Sequence, residues 1–481
     1  MDETLLDKDE DGITPADGDC NDNNALINPG RTELPYNTID DDCNPATPDD
    51  DLDGDGYLKA NDCNDNNAAI HPGATDIPNN GIDENCDGSD LVDLSLLDTD
   101  GDGVTDDIDA CSVSQPGAHV DEYGCTYHLP DTGQTNCYND QEDGEIDCPS
   151  EGSDFYGQDA NYTINSIYYT KLGRGGVELP ISATDWVMVR DNVTGLIWEV
   201  KGISDGVESY SNPNDPDNIY TWYNSSLATY SGTSGTGTDT EDFILSLNTV
   251  KHGGYDNWRL PTSVELQSIV NYGQIILEDE INDIFKCYGN YHWTSSAIGG
   301  SQAAYMVNFG QGHISGRVKS FSNNVIAVRG EQKSSSFTNN NDGTITDNRT
   351  GLMWLEDTAD INLDNILDDT NDKVLWKDGL AFCENFQFAG KTDWRLPNVK
   401  ELGSIAEIKG SIGDLSNHLN NAIFSNFVNF YLTSTTDTTD AYGNPYGYEV
   451  WGIYFGTGTL TVTTDGKNYL RGYVRPVRNV P

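Results

Sequence analysis

Asp191-Asn-Val-Thr-Gly195-Leu-Ile-Trp198 and Asp347-Asn-Arg-Thr-Gly351-Leu-Met-Trp354 are one phrase written twice. Outward from it, the flanking landmarks repeat as well. Asn257-Trp258-Arg259-Leu260-Pro261 returns as Asp393-Trp394-Arg395-Leu396-Pro397, and His292-Trp-Thr294-Ser295 as Tyr431-Leu-Thr433-Ser434. Tyr305-Met-Val307-Asn-Phe309-Gly310 returns as Trp451-Gly-Ile453-Tyr-Phe455-Gly456, and Ala327-Val328-Arg329 as Pro476-Val477-Arg478. The order never changes, so two copies of one domain stand in tandem, at 128–333 and 334–481.

Each copy reads as mixed α+β. Thr262-Ser-Val-Glu265 and Asn398-Val-Lys-Glu401 are capping boxes, an N-cap oxygen followed three residues later by Glu. Val264, Leu266 and Ile269, and Val399, Leu402 and Ile405, continue each box as an apolar helical stripe. A second helix is expected before each WRLP segment, around Glu241–Val250 and Trp376–Phe386. Alternating runs at Tyr305–Phe309 and Gly452–Phe455 predict strands, and Val325–Arg329 and Tyr473–Arg478 predict closing strands.

The N-terminal quarter is different material. Of 80 acidic and 25 basic side chains in 481 residues (net −55), residues 1–127 hold 34 acids against Lys8, Arg31 and Lys59, a net charge of −31. All nine Trp lie at or after Trp186, and no Phe precedes Phe155, so this quarter cannot build an ordinary core. Residues 7–44 and 51–87 are again two copies of one unit, giving segments 1–48 and 49–92. Each opens on D-x-D-x-D-G, Asp7/Asp9/Asp11 before Gly12 and Asp51/Asp53/Asp55 before Gly56. A third acidic run, in segment 93–127, carries Asp98, Asp100, Asp102, Asp106 and Asp109.

Oxygens at positions 1, 3 and 5 converge on one cation only if the chain coils tightly. Gly at position 6 permits the coil, and an acid at position 12 closes the shell. Asp62 stands at that position in the second unit. In the first, Gly18 does, with Asp19 one residue later. Hard oxygen donors without a Cys, Met or His set select calcium (Ca2+) as the cofactor over soft metals.

Eight of ten cysteines fall between Cys20 and Cys148. Cys20/Cys43 and Cys63/Cys86 share one spacing, and Cys111/Cys125 and Cys137/Cys148 complete a nearest-neighbour series. In a core-poor segment without any CxxC, this reads as disulfide staples and an oxidising compartment. No run of 18 apolar residues exists, so no membrane-inserting segment is expected. Asp2 follows Met1 directly with no leader pattern. The staples therefore imply a removed signal peptide, or numbering that starts near the mature end. A polyanion gains nothing from counterion release, which excludes nucleic acid and disfavours polyanionic ligands.

The Asp98–Cys125 stretch resembles a thrombospondin type 3 repeat. The two earlier units resemble short repeats named for a methanotroph surface protein associated with copper. His71 is the one residue in them suited to copper, so the resemblance carries over the repeat and not the metal. Both resemblances imply a calcium-filled stalk with almost no hydrophobic core. The tandem landmarks, with Thr132-Gly133 … Cys137 … Cys148-Pro149 … Gln158-Asp159-Ala160 ahead of them, resemble the C-terminal domain family of the Legionella collagen-like adhesin over 128–481. That resemblance implies two tandem C-type-lectin-like modules, an extracellular setting, and glycan or protein binding. The first copy departs by an insertion at about 204–240, and the second has Leu432 where the family's Trp would stand.

The duplicated Trp198/Trp354, Trp258/Trp394, Arg259/Arg395 and Arg329/Arg478 suit either duplicated sites or duplicated cores. None of the seven His repeats between copies, and no HExxH, P-loop or redox CxxC occurs, so no catalytic residue is expected and the protein reads as a non-enzyme. Cys287 and Cys383 either bridge the modules or stay as buried thiols. Ligand loops are expected at 297–303 with 311–322, and at 436–448 with 457–468, all rich in Gly, Ser, Thr, Asn and Tyr. The partner is then a glycan or protein bound by a secreted or cell-surface adhesin. The alternative is further copies of the chain in an extracellular filament or matrix.

Overall fold

The computed structural model describes residues 3–47, 49–99, 104–107, 128–141, 144–162, 164–227, 229–235, 237–273, 282–286, 291–332, 336–364, 370–405, 424, 430–438, 447–455, 461–469 and 471–480. The chain divides into two compact units, Met1–Gly124 and Cys125–Pro481.

The first unit is held without an apolar interior. Its described residues form only three short 3-10 turns, Glu3–Leu5, Pro15–Asp17 and Leu94–Leu96. Its buried apolar side chains are the equivalent Ile27 and Ile70. What it buries instead is polar: Asp19, Asp22, Asn28 and Asp41 in the first copy, and Asp62, Asp65 and Glu84 in the second. Two disulfides, Cys20–Cys43 and Cys63–Cys86, close equivalent loops. So little apolar burial offsets little chain entropy, so covalent and ionic ties must supply the rest.

The second unit opens with a hairpin, β1 (Cys137–Tyr138) and β2 (Glu145–Ile146), stapled by Cys137–Cys148. The first module follows with β3 (Tyr169–Leu172), β4 (Met188–Asp191), β5 (Ile197–Glu199) and β6 (Tyr220–Thr221). Its helices are α1 (Thr240–Thr249), α2 (Ser263–Ser268) and α3 (Asn282–Phe285). Strands β7 (Tyr291–Ala297), β8 (Ala303–Asn308), β9 (Ile314–Val318), β10 (Ser322–Asn323) and β11 (Val328–Arg329) complete it. The second module has β12 (Phe337–Asn339), β13 (Thr344–Asp347), β14 (Leu352–Leu355), α4 (Trp376–Glu384) and α5 (Val399–Ser404). It ends with β15 (Phe430–Thr436), β16 (Glu449–Tyr454), β17 (Thr461–Gly466) and β18 (Val477–Asn479).

Both expected capping boxes are made. Thr262 and Asn398 each accept from the N3 amide, and Glu265 and Glu401 each accept from the N-cap amide. Each module has one four-stranded antiparallel sheet, ordered β11-β5-β4-β3 in the first and β12-β13-β14-β18 in the second. Strands β6 and β10 form a separate two-stranded pair, and the remaining strands of both modules join into a six-stranded sheet, β15-β16-β17-β9-β8-β7, in which β17 pairs antiparallel with β9 at Val462↔Ile314.

This is a correction to the loop reading. Segments 311–322 and 457–468 were expected to be ligand loops. Ile314–Val318 and Thr461–Gly466 are instead strands whose edges pair across the two modules. Each also pairs along its length with its own module's hairpin partner, β8 or β16, and Gly, Ser and Thr hide both strands because β-propensity reports packing context more than backbone preference.

The fusion extends into the interior. One continuous apolar cluster contains Trp198, Leu266, Tyr272 and Val307 of the first module with Trp354, Leu402, Trp451 and Ile453 of the second. At the helix crossing, a Cβ on Gly403 would lie 2.4 Å from the Gln267 Oε1. Lys400 of α5 donates its ammonium to the Ser268 and Asp131 carbonyls, each at 2.7 Å. The segment ahead of the first module docks on the second. The Gln134 side chain bonds the Thr436 backbone on both sides, and buried Asp159 accepts from the Thr132 and Thr435 hydroxyls at 2.7 and 2.6 Å.

Candidate cation sites and module surfaces

The two D-x-D-x-D-G loops have one geometry. Asp7 takes the Glu10 and Gly12 amides at 2.7 and 2.9 Å, and Asp51 takes the Gly54 and Gly56 amides at 2.7 and 3.0 Å. Gly12 and Gly56 hold φ of 96° and 94°, a left-handed turn that suits glycine. Carboxylate oxygens of Asp7, Asp9 and Asp11 lie within 4.8 Å of one another, as do those of Asp51, Asp53 and Asp55. Bringing like charges together without a counter-ion is costly in a compact state. Asp9 shows the effect: burial, then the carboxylates of Asp11, Asp19 and Asp7, push its pKa up.

Near the loops lie further acids, of which the motif names Asp62 and points to Asp19 but does not name Asp65. Asp19 is 6% exposed, Asp62 8% and Asp65 5%, and an Oδ2 of each is buried with no hydrogen-bond partner. Asp9, Asp53 and Asp55 each have the same unpartnered Oδ2. A buried carboxylate oxygen without a donor is expensive to hold, and a hard cation removes that cost. Asp65 accepts the Leu52 amide at 3.1 Å, and Asp22 the Lys8 amide at 3.0 Å, so both carboxylates lie against their loops. The Asn-Asp pair after each cysteine was visible in the repeat, but its approach to the loop was not.

A further carboxylate group joins Glu33, Asp40 and Asp42 within 4.8 Å. Its counterpart reads Asp83-Glu-Asn85-Cys-Asp87-Gly88, where the Asp87 amide meets Asp83 and Asn85 at 3.1 and 2.9 Å, and the Gly88 amide meets Asp83 at 2.8 Å. The D-x-N-x-D-G spacing was the missed signal. In the third acidic run, Asp106 accepts the Thr99 amide and hydroxyl at 2.8 and 2.6 Å, which lowers its pKa. Asp98 is also described. Asp100, Asp102, Asp109, Cys111 and Cys125 lie outside the described residues.

The donor set is hard. Among the described residues of this unit, four cysteines are bonded as disulfides. The His71 ring stacks on Tyr57 at 4.8 Å, with Nδ1 3.2 Å from the Pro72 carbonyl. What remains for a metal among the described side chains is mainly carboxylate oxygen, with His71 Nε2 in addition.

In the modules, the duplicated tryptophans are core. Trp198 and Trp354 are fully buried, and Trp258 and Trp394 nearly so. Arg259 and Arg395 grip Glu265 and Glu401 bidentately, at 2.8 and 2.6 Å and at 2.7 and 2.6 Å. Each pair ties the WRLP segment to the capping box that follows it. Arg478 grips Asp393, while Arg329 bonds Asn257 and lies 3.6 Å over the Tyr255 ring. His292 is buried, and burial and then Lys201 push it down to about 3. Cys383 is a buried free thiol, so of the two readings the thiol holds for it. Cys287 lies outside the described residues.

One duplication escaped the sequence reading. Lys319 and Lys467, buried at 1% and 2% exposure, place their ammonium groups 4.2 and 4.0 Å from the Trp222 and Trp376 rings. Both indoles donate to the equivalent carbonyls of Thr294 and Thr433. Two residues beyond each lysine, Phe321 (51%) and Tyr469 (64%) stand exposed.

The Lcl C-terminal domain family matches residues 187–329 and again 343–478, together more than half of the chain. The chain belongs to the Lcl C-terminal domain family. Its two Lcl domains are the two modules fused through β9 and β17. The Cu-binding_MopE metal-binding motif matches residues 19–49 and 62–90. It therefore begins at the buried Asp19 and Asp62, and leaves the D-x-D-x-D-G loops outside it. No curated protein and no solved structure matches the chain significantly. Among the described residues no helix is long and apolar enough to cross a membrane, and the disulfides fit an extracytoplasmic protein.

Proposed function

We propose that the chain is a non-enzymatic adhesin of the cell surface or secreted space. Its N-terminal unit is stiffened by calcium, and its paired Lcl domains, with a C-type-lectin-like fold, bind a glycan or a protein. The observation that carries the N-terminal half of this reading is the set of buried, unpartnered carboxylate oxygens on Asp19, Asp62 and Asp65, which only a hard cation suits. The thrombospondin type 3 character of residues 93–127 belongs to the same reading.

On the Lcl domains, the duplicated Arg259 and Arg395 each hold a loop through a bidentate pair with a Glu, which supports a structural role for them. The exposed duplication is aromatic, Phe321 and Tyr469. An aromatic ring on an anchored turn offers apolar area at low entropy cost, and it stacks on sugar faces or on protein side chains without needing basic charge. The remaining −24 outside the N-terminal quarter argues against a polyanionic partner.

The filament alternative, assembly through module-module contacts, is less favoured at the edges of the six-stranded sheet. The outer strands of the six-stranded sheet are covered, β7 by a bridge from His292 to Asn324 and β15 by one from Tyr431 to Tyr473. A calcium-containing glycan and protein panel tests the reading, alongside light scattering. A monomer or small oligomer with a saturable ligand is expected, weakened tenfold or more by Phe321→Ala with Tyr469→Ala. Ordered high-mass polymers with no ligand would overturn it.

A further inference from the structure

The two acidic repeats match in sequence, with one residue fewer between loop and cysteine in the second, yet their carboxylates are not satisfied alike. Lys8 and Leu52 are equivalent, each following the first Asp of its loop, and each gives its amide to the equivalent carboxylate, Asp22 or Asp65. Beyond the amide the copies part. Neither Asp22 Oδ2 nor Asp65 Oδ2 accepts a hydrogen bond, but the Lys8 ammonium lies 3.1 Å from Asp22 Oδ2 as an ion-pair partner. Leu52 has no charge to offer, and Asp65 Oδ2 is buried without a partner.

A second difference runs the same way. Asn28 donates to Asp11 Oδ2 at 2.6 Å in the first repeat. His71 stands at that place in the second, with its ring turned onto Tyr57, and Asp55 Oδ2 is left unpartnered. Two of the oxygens that the first repeat satisfies internally are thus open in the second.

We infer that the two repeats are unequal cation sites: Lys8 and Asn28 act as built-in counter-groups in the first, and the second binds a hard divalent cation more tightly through Asp53, Asp55, Asp62 and Asp65. The inference rests on the calcium reading of the same acids. It adds Asp65 to the second shell, and makes residues 8 and 52 the determinants of affinity. A cation entering the first repeat must compete with an ammonium already held at Asp22. In the second, no ammonium competes for Asp65, and Asp53, Asp55, Asp62 and Asp65 each keep an Oδ2 without a hydrogen-bond partner.

Lys8 and Leu52 are both partly exposed, the Lys8 side chain 43% and Leu52 41%, so exchanging them leaves the interior intact. The test is calcium titration of the full disulfide-bonded chain, by calorimetry and by competition with a chromophoric chelator. It compares the natural chain with Leu52→Lys, Lys8→Leu and Asp65→Asn. Terbium(III) emission excited through Tyr57, with Tyr57→Phe as control, reports the second site separately. Leu52→Lys and Asp65→Asn are expected to weaken the tighter class and the terbium signal tenfold or more. Lys8→Leu is expected to tighten the weaker class by a similar factor and leave the terbium signal unchanged. Calcium binding that none of the exchanges alters, or a tighter class lost on changing residue 8, would overturn the inequality while leaving the calcium reading standing. No calcium binding by any form would overturn both.

Discussion

Asp159 sits at the junction of the lead-in segment and the second Lcl domain, buried beneath the hydroxyls of Thr132 and Thr435. Burial, and then the neighbouring Asp131, push its pKa up to about 7. In the unfolded chain it ionises in the ordinary range near 3.8. The folded state therefore keeps a proton that the unfolded state loses. The stability from this group is whole below pH 4 and falls as pH rises toward 7, by about 1.4 kcal/mol per pH unit at most. Asp159→Asn keeps an oxygen for both hydroxyls and cannot ionise. The variant is expected to match the natural chain at pH 4 and exceed it at pH 8 in denaturant midpoint. Equal midpoints at pH 8 would show the carboxylate to be accommodated as an anion. The residues of the core were legible where both copies share a phrase, as with Trp198 and Trp354. Lys319 and Lys467 were not, because their neighbours differ, Val318 and Ser320 against Gly466 and Asn468. All the fold requires there is one ammonium over one indole.

Helices α2 and α5 begin at capping boxes, and a cap is a contact within four residues, so sequence alone locates them. The Arg that precedes each box then locks it from outside. That lock differs in solvent access between the copies, with side-chain exposures of 23% for Arg259 and 6% for Glu265, against 7% and 4% for Arg395 and Glu401. Removing one partner of a buried pair strands the other, at about 3–5 kcal/mol. A pair open to water loses about 2 kcal/mol of charge-assisted bonding. Arg395→Met is therefore expected to lower the urea midpoint clearly more than Arg259→Met, and equal shifts would refute solvent access as the cause. Strands β9 and β17 were illegible for the converse reason. Their hairpin partners β8 and β16 are local and were legible, but the Gly, Ser and Thr of β9 and β17 mask these strands themselves, and the one pair that joins them, Val462↔Ile314, lies across the two domains. The carboxylate of Asp65 was hidden likewise, since its meeting with the Leu52 amide spans thirteen residues.

At the scale of the whole molecule, the two units depend on different forces, and one calorimetric experiment separates them. Residues 1–124 bury two aliphatic side chains and seven polar ones among those described, so on the calcium reading proposed above their order comes from disulfides and bound cations. Residues 125–481 hold the apolar mass, and its largest cluster draws on both Lcl domains. Domains that share a core and a sheet cannot unfold one at a time without exposing the seam. The ammonium of Lys400 and the fit of Gln267 over Gly403 add to that coupling. In calcium, scanning calorimetry of the full chain is expected to show both Lcl domains melting in a single transition. Chelation with EDTA should leave that transition in place, while residues 1–127 become protease-sensitive. Each calcium that binds N-terminally stabilises by RT ln(1 + [Ca]/Kd), so the protection should return with added calcium in a concentration-dependent way. Separate transitions for the two Lcl domains would mean that the β9–β17 seam is too weak to couple them. An N-terminal unit that resists protease in EDTA would mean that disulfides alone hold it, and that the −31 there is not a set of coordination shells.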